Sequence, residues 1–235
     1  MPLRYLLILD FEATCDDTGL IVPKGEYEII EFPTLLYDLQ EDKIQATFHE
    51  YTRPTQHATL TKFCTDLTGI EQVRVSSCFR SLVNLTTPCK KSTVDGGETF
   101  PSVWERYLEF LRTNKILEEP GAAAFLTCGD WDLKTMLPLQ LRMCNIDARA
   151  ALSSVPPSRA PMGVLPAPFD RWINVKRSYQ QYYGLRKGKG MEGMLRHAGM
   201  ALEGRHHSGI DDCRNILRLV QRMCRDGWKP ERDLP

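Results

Sequence analysis

Tyr5–Leu9, YLLIL, is an unbroken apolar run that ends in the acidic stretch LDFEAT. A run this short suits a buried strand whose end opens onto a site. IIEFPTLLYDL and IQATFHEYTRP follow, rich in branched and aromatic residues and separated by the polar turn QEDK. They read as antiparallel strands that complete a three-strand meander with the first. The period then changes: in FPSVWERYLEFLRTN, Val103, Tyr107, Phe110 and Leu111 recur at helical spacing. AAAFLTC reads as another buried strand, and WDLKTMLPLQLRMC as a helix kinked or ended early by Pro138. Near the C-terminus, Ile210, Cys213, Leu217, Val220 and Cys224 mark one apolar stripe of a helix, with Asp212 and Asn215 on a different flank. Val73–Ser92 and the proline-rich SSVPPSRAPMGVLPAP lack a clean period and read as loops. The succession predicts an α/β fold, a mixed sheet flanked by helices.

The 235 residues fit one large domain, 1–235, elaborated by loop insertions at about 73–92 and 151–168. Net charge is zero, so the total implies no strong attraction to nucleic acid or anionic membrane. The distribution says more. Asp10–Asp42 holds ten acids against Lys24 alone, whereas Arg171–Arg205 holds eight bases against Glu192 and Glu203. One face is suited to cations and another to anions. Eight cysteines without a C-x-x-C pair point to a reduced compartment and away from a zinc ribbon or thioredoxin motif. YLLILDFEAT is too short to span a membrane and carries acids where a signal-peptide cleavage region needs small neutral residues. The expectation is a soluble, untargeted intracellular chain, cytoplasmic, nuclear or both, with no membrane association.

Asp10 and Glu12 lie two apart at a strand end, so the period of two points both carboxylates to one side and Phe11 to the other, into the core. Such a pair repels itself unless cations sit there, although a lone D-x-E is more often a solvated strand terminus. In GDWDLKTML, Asp132 and Asp130 compete for a helix cap, and each taken singly reads as structural. HHSGIDDCRNIL shifts that balance. His207 precedes the helix, Asp212 falls in its first turn, and Gly209 between them lets the backbone bend, so an imidazole and a carboxylate can converge.

The blocks ILDFEATC, FCTDLTGI, CGDWDLKTMLP, RWINVKRSY and RHHSGIDDCRNI, in this order, resemble the Eri-like branch of the DEDDh 3′-to-5′ exonucleases. The resemblance spans nearly the whole chain apart from the two excursions, and it implies the RNase H-like, DnaQ-like fold with a five-stranded mixed sheet. It also implies that Asp10, Glu12, Asp132 and Asp212 are the four metal-site acids and that His207 is the general base. Asp130, His206 and Asp211 are then neighbours rather than members. The implied cofactor is a pair of Mg²⁺ ions, replaceable by Mn²⁺, since hard oxygen donors without a Cys/His cluster argue against zinc.

The implied reaction releases nucleoside 5′-monophosphates from RNA 3′ ends, either single-stranded ends or tails of structured RNA. Ala13 and Thr14, just beyond Glu12, are expected to meet the terminal 3′-hydroxyl. Lys176 and Arg177 belong to a basic strip with Arg171, Arg186, Lys187 and Lys189, interleaved with Trp172, Tyr179, Tyr182 and Tyr183, which suits a phosphate track. Arg205, next to the histidines, is the best single phosphate contact. Two alternatives share these residues: an idle RNA-binding adaptor of the same fold, and an exonuclease preferring single-stranded DNA. No further nucleic-acid module is expected, so a protein adaptor would set substrate choice, and the chain is read as a monomer.

Overall fold

Strand β1 (Tyr5–Leu9) lies inside the sheet of the computed structural model, which describes residues 3–72, 94, 96–119, 121–149 and 165–234. The expected loop 73–92 and most of 151–168 fall outside the described residues. Antiparallel β3 (Ile29–Asp38) borders β1 on one side and parallel β6 (Ala123–Thr127) on the other. β4 (Lys43–Arg53) continues the antiparallel pairing beyond β3, and β7 (Trp172–Asn174) extends the parallel half beyond β6. These five form the expected mixed sheet and contain the predicted meander β1-β3-β4. Two-residue strands add to it, β2 (Glu12–Ala13) against β3 and β5 (Glu98–Thr99) against β4.

Alternation along β1 explains why its sequence is apolar throughout. Leu7 and Leu9 join a core with Phe32, Leu36 and Phe48, covered by α2 (Phe100–Thr113). Leu6 and Ile8 join the opposite core with Leu35, Leu126 and Ile173, covered by α4 (Val175–Tyr182), α5 (Met191–His197) and α6 (Gly209–Arg225). A sheet buried on both faces leaves no polar position in its central strand. A short helix, α1 (Lys62–Thr68), packs through Cys64 onto a smaller cluster with Ile30 and Ile70.

The predicted helix after Trp131 starts with a wide π-type turn, Asp132–Met136, before α3 (Leu137–Met143). Pro138 has no N–H for the carbonyl four residues back, so a regular ladder cannot run through this point. The break therefore precedes the proline, and Pro138 sits in the first turn of α3. β1 and β6 run parallel and end at the same edge of the sheet, beside the N-terminus of α6. Ligands of α/β sheets gather outside the carboxyl ends of strands, and the acidic residues lie there.

Candidate active site

A cleft of about 870 Å³ opens at this edge, lined among others by Asp10, Glu12, Ala13, Thr14, Trp131, Asp132, Lys176, His206, His207 and Asp212. Asp10 directly follows β1, Glu12 lies in β2, Asp132 opens the wide turn after β6, and Asp212 is in the first turn of α6. Asp10, Glu12 and Asp212 bring one carboxylate oxygen each within 4.8 Å of one another. Asp132 shares the cleft with one oxygen tied down, since Oδ1 accepts the Phe11 N–H at 2.9 Å. Phe11 itself turns into the core, edge-on to Phe32, as alternation predicted.

Gathering these acids raises their proton affinity. Burial, then Glu31 and the other site carboxylates, pushes Glu12 up to about 9. Burial is also the largest cause for Asp212, which rises to about 7, and for Asp10 and Asp132, which rise as well. Lys176 opposes the shift at Asp10 and Asp132. Glu12, Asp132 and Asp212 are buried, and Asp212 Oδ1 has no hydrogen-bond partner among the described residues. An orphaned buried oxygen amid converging carboxylates fits a hard divalent cation.

Asp212 Oδ2 accepts the backbone N–H of His207 at 3.0 Å. The backbone bends tightly to close this bond, and sequence reasoning put the bend at Gly209. The structure puts it at His207, whose φ is +63°. Gly209 serves a different purpose, because a Cβ there would lie 2.5 Å from the Asp10 carbonyl oxygen, and only glycine lets α6 approach the end of β1 this closely. Half-buried, His207 is held below its ordinary pKa by desolvation first and by His206 and Arg205 after it. Its imidazole is therefore neutral near pH 7.

Ala13 and Thr14 line the cleft as expected, Thr14 being pinned where its backbone N–H reaches the Glu28 carbonyl and its hydroxyl accepts the Glu28 N–H. Arg177 and Arg205 do not line it. The Arg177 guanidinium pairs with Asp130 at 3.1 Å, and that of Arg205 donates to the Asp66 and Leu67 carbonyls at the end of α1. Asp130 is no helix cap. It accepts from Trp172 Nε1 at 3.0 Å, Asn174 Nδ2 at 2.9 Å and Arg177, tying the end of β6 to β7 and α4. Of the aromatics in the basic strip, Tyr179 is buried and spent on the core.

Glu31 and Trp131 escaped the sequence reading. Glu31 is fully buried in β3, opposite Glu12, and its carboxylate accepts the N–H groups of Gly209 at 2.9 Å and Ile210 at 3.1 Å while meeting His49 Nε2 at 2.8 Å. It caps the helix that carries Asp212 and steadies the turn that carries His207. The signal was present: an acid inside the apolar run IIEFP must have partners when buried. Trp131 exposes 41% of its surface on the cleft wall, an apolar plane beside four acids.

The family model described as Exonuclease matches residues 7–77 and 85–220, its break falling within the expected insertion. The chain is 35% identical to human (Homo sapiens) ERI1 exoribonuclease 3 over 225 residues, which are 96% of this chain and 55% of that protein. It is 34% identical over 229 residues to the 3′-5′ exonuclease Snipper of Drosophila melanogaster, covering 96% of this chain and 71% of that one. The chain thus spans about half the length of the ERI1 exoribonuclease 3 relatives it matches. Among solved structures, the nuclease domain of 3′hExo, a DEDDh family member bound to rAMP, superposes with a TM-score of 0.71 at 30% identity, over 96% of this chain and 94% of that one. Cell-death related nuclease 4 (CRN-4) gives a TM-score of 0.72 at 28% identity, over 96% and 65%. Likeness in sequence and fold over nearly the whole chain shows that it belongs to the exonuclease family, among its Eri1-like DEDDh members.

Proposed function

We propose that this chain is a 3′-to-5′ exoribonuclease that removes nucleoside 5′-monophosphates from RNA 3′ ends. The observation that carries this reading is the convergence of Asp10, Glu12, Asp132 and Asp212 in one cleft with His207, around an unpartnered buried oxygen of Asp212. Two Mg²⁺ ions, with Mn²⁺ as a substitute, would be held by the four carboxylates and would stabilise the charge that develops on the scissile phosphate and the leaving oxygen.

His207 takes the proton of the attacking water on its neutral imidazole, and its backbone N–H, bonded to Asp212, fixes where that imidazole stands. Ala13 and Thr14 face the terminal 3′-hydroxyl from the end of β2. Trp131 offers its exposed indole to the terminal base, and stacking of that kind tolerates any sequence. Lys176 presents a cation to the phosphate from the cleft wall. Arg177 and Arg205, outside the wall, serve phosphates upstream of the terminal nucleotide. Substrate choice among RNAs rests on a protein adaptor, and the chain acts as a monomer. Among the described residues no helix is long and apolar enough to cross a membrane.

The test is digestion of a 5′-labelled single-stranded RNA, with a matched DNA in parallel, in Mg²⁺, in EDTA and with His207→Ala. A metal-dependent ladder shortened from the 3′ end and lost in the variant is the expected result. RNA binding by a folded protein without cleavage would favour the adaptor reading, and preferential shortening of the DNA would transfer the activity to that substrate.

A further inference from the structure

We propose that His206, His207 and Asp212 form a Zn²⁺ site whose occupation switches the nuclease off. The inhibition rests on the exonuclease reading; the binding does not. Side chains of consecutive residues diverge in extended chain, but here the left-handed backbone of His207 lays the two imidazoles side by side, their centroids 4.0 Å apart and their planes within 20°. One nitrogen of each ring and one oxygen of Asp212 all lie within 4.8 Å of one another. Asp212 Oδ1, buried and unpartnered, is free to ligate, and no hydrogen bond among the described residues engages either imidazole.

Zinc bonds to nitrogen and oxygen are about 2.0–2.2 Å long, so tetrahedral donors stand about 3.4 Å apart. Stacked rings carry their lone pairs in near-parallel planes, so binding turns one imidazole about its side-chain bonds toward the other, and both histidines have room for this, being half-buried rather than locked in the core. Two imidazoles and one carboxylate make a zinc set with a fourth position for water, whereas the all-oxygen cluster Asp10, Glu12 and Asp212 suits Mg²⁺. The two sets share Asp212, so they compete. Zinc in the first occupies the imidazole lone pair that would accept the proton of water and the oxygen that the acid set needs. A site that the spacing of the sequence argued against thus arises from one left-handed residue.

The test is calorimetric titration of the metal-free chain with Zn²⁺, beside His206→Asn and Asp10→Asn. His206→Asn should weaken zinc binding at least about tenfold, since loss of a mere hydrogen-bond partner of a ligand already costs about 10–100-fold, while Asp10→Asn, outside the set, leaves it within about twofold. The reverse pattern would place zinc among the acids and overturn the proposal. Co²⁺ supplies a measurement on the unaltered protein. Strong visible absorption of a four-coordinate site is expected, and the weak spectrum of a six-coordinate oxygen site would refute it. In Mg²⁺-driven RNA digestion, half-inhibition of His206→Asn should need at least about ten times more zinc than that of the parent, and equal sensitivity would overturn the switch. If the unaltered chain cuts no RNA, the exonuclease reading falls, while the titration still decides the zinc site.

Discussion

Removing Glu31 tests how the site is held together. Glu31→Ala strips the acceptor from the Gly209 and Ile210 N–H groups and from His49, at a position with 0% exposure. A buried polar group left unsatisfied costs about 1–3 kcal/mol, so two helix donors together lose about 2–6 kcal/mol. At about 2–4 °C per kcal/mol for a chain of this size, melting should fall by about 4–24 °C. Glu31→Gln keeps the volume but only one accepting oxygen, so one of the two N–H groups faces an amide NH2 and loses its acceptor, a loss of about 1–3 kcal/mol. The same glutamine relieves Glu12, for Glu31 is the largest charge contribution to its raised pKa. Thermal unfolding at saturating Mg²⁺ reads the cap, and single-turnover digestion of labelled RNA reads the geometry. A shift of the His207 turn by about 1 Å costs about 100-fold in rate, so both variants should slow cleavage, alanine more. Melting of Glu31→Ala within about 2 °C of the parent with an unchanged rate would refute the reasoning.

Three further outcomes follow from the same geometry. In the absence of divalent metal, Asp10, Glu12, Asp132 and Asp212 bind protons more tightly folded than unfolded, so their contribution is full below the ordinary carboxylate range and is lost as pH rises through about 7 for Asp212 and about 9 for Glu12. The melting temperature of chelator-treated protein should therefore fall from about pH 5 to about pH 9, Mg²⁺ should flatten the curve, and a metal-free profile already flat would contradict the acid cluster. Trp131→Ala should raise KM by about 5- to 150-fold at nearly constant kcat, the value of one lost stacking contact of about 1–3 kcal/mol, and steady-state kinetics on RNA would show it. Gly209→Ala brings a methyl group to 2.5 Å from the Asp10 carbonyl oxygen; α6 must retreat, so cleavage and Mg²⁺ affinity should fall together, which calorimetry and digestion would check.

The elements were legible because burial on both faces or on one leaves a local trace. YLLIL could be read as a central strand from five letters, since Leu6 and Ile8 meet one core and Leu7 and Leu9 the other. The spacing of Asp10 from Glu12 and of His207 from Asp212 could also be read, because each pair belongs to a single strand end or helix start. Contacts across the sequence left no such trace. A cap preference cannot separate Asp130 from Asp132, because what separates them is Trp172, Asn174 and Arg177 on one and the Phe11 N–H on the other. The contact of Arg205 with the bare carbonyls ending α1 could likewise not be read from its place beside two histidines.

The same distinction explains why the acid cluster exists at all. Four carboxylates whose proton affinity is raised, first by burial and at Asp10, Glu12 and Asp212 also by neighbouring acids, destabilise the metal-free fold at neutral pH, so something must hold them in place against that cost. The holding groups are themselves polar and buried: the Phe11 N–H on Asp132, the His207 N–H on Asp212, and Glu31 on the first N–H groups of α6. Glu31 adds one more negative charge to the cluster, which by charge alone is the wrong sign. Two of its hydrogen bonds fix the helix start and the third ties it to His49, and the cation site gains the surplus negative potential that draws divalent metal in. An acid that aligns the helix start and also deepens the negative potential is what the proposed metal-dependent nuclease requires, and Glu31, rather than another acid nearer the solvent, is the residue whose loss tests whether Asp212 and His207 still face the same point.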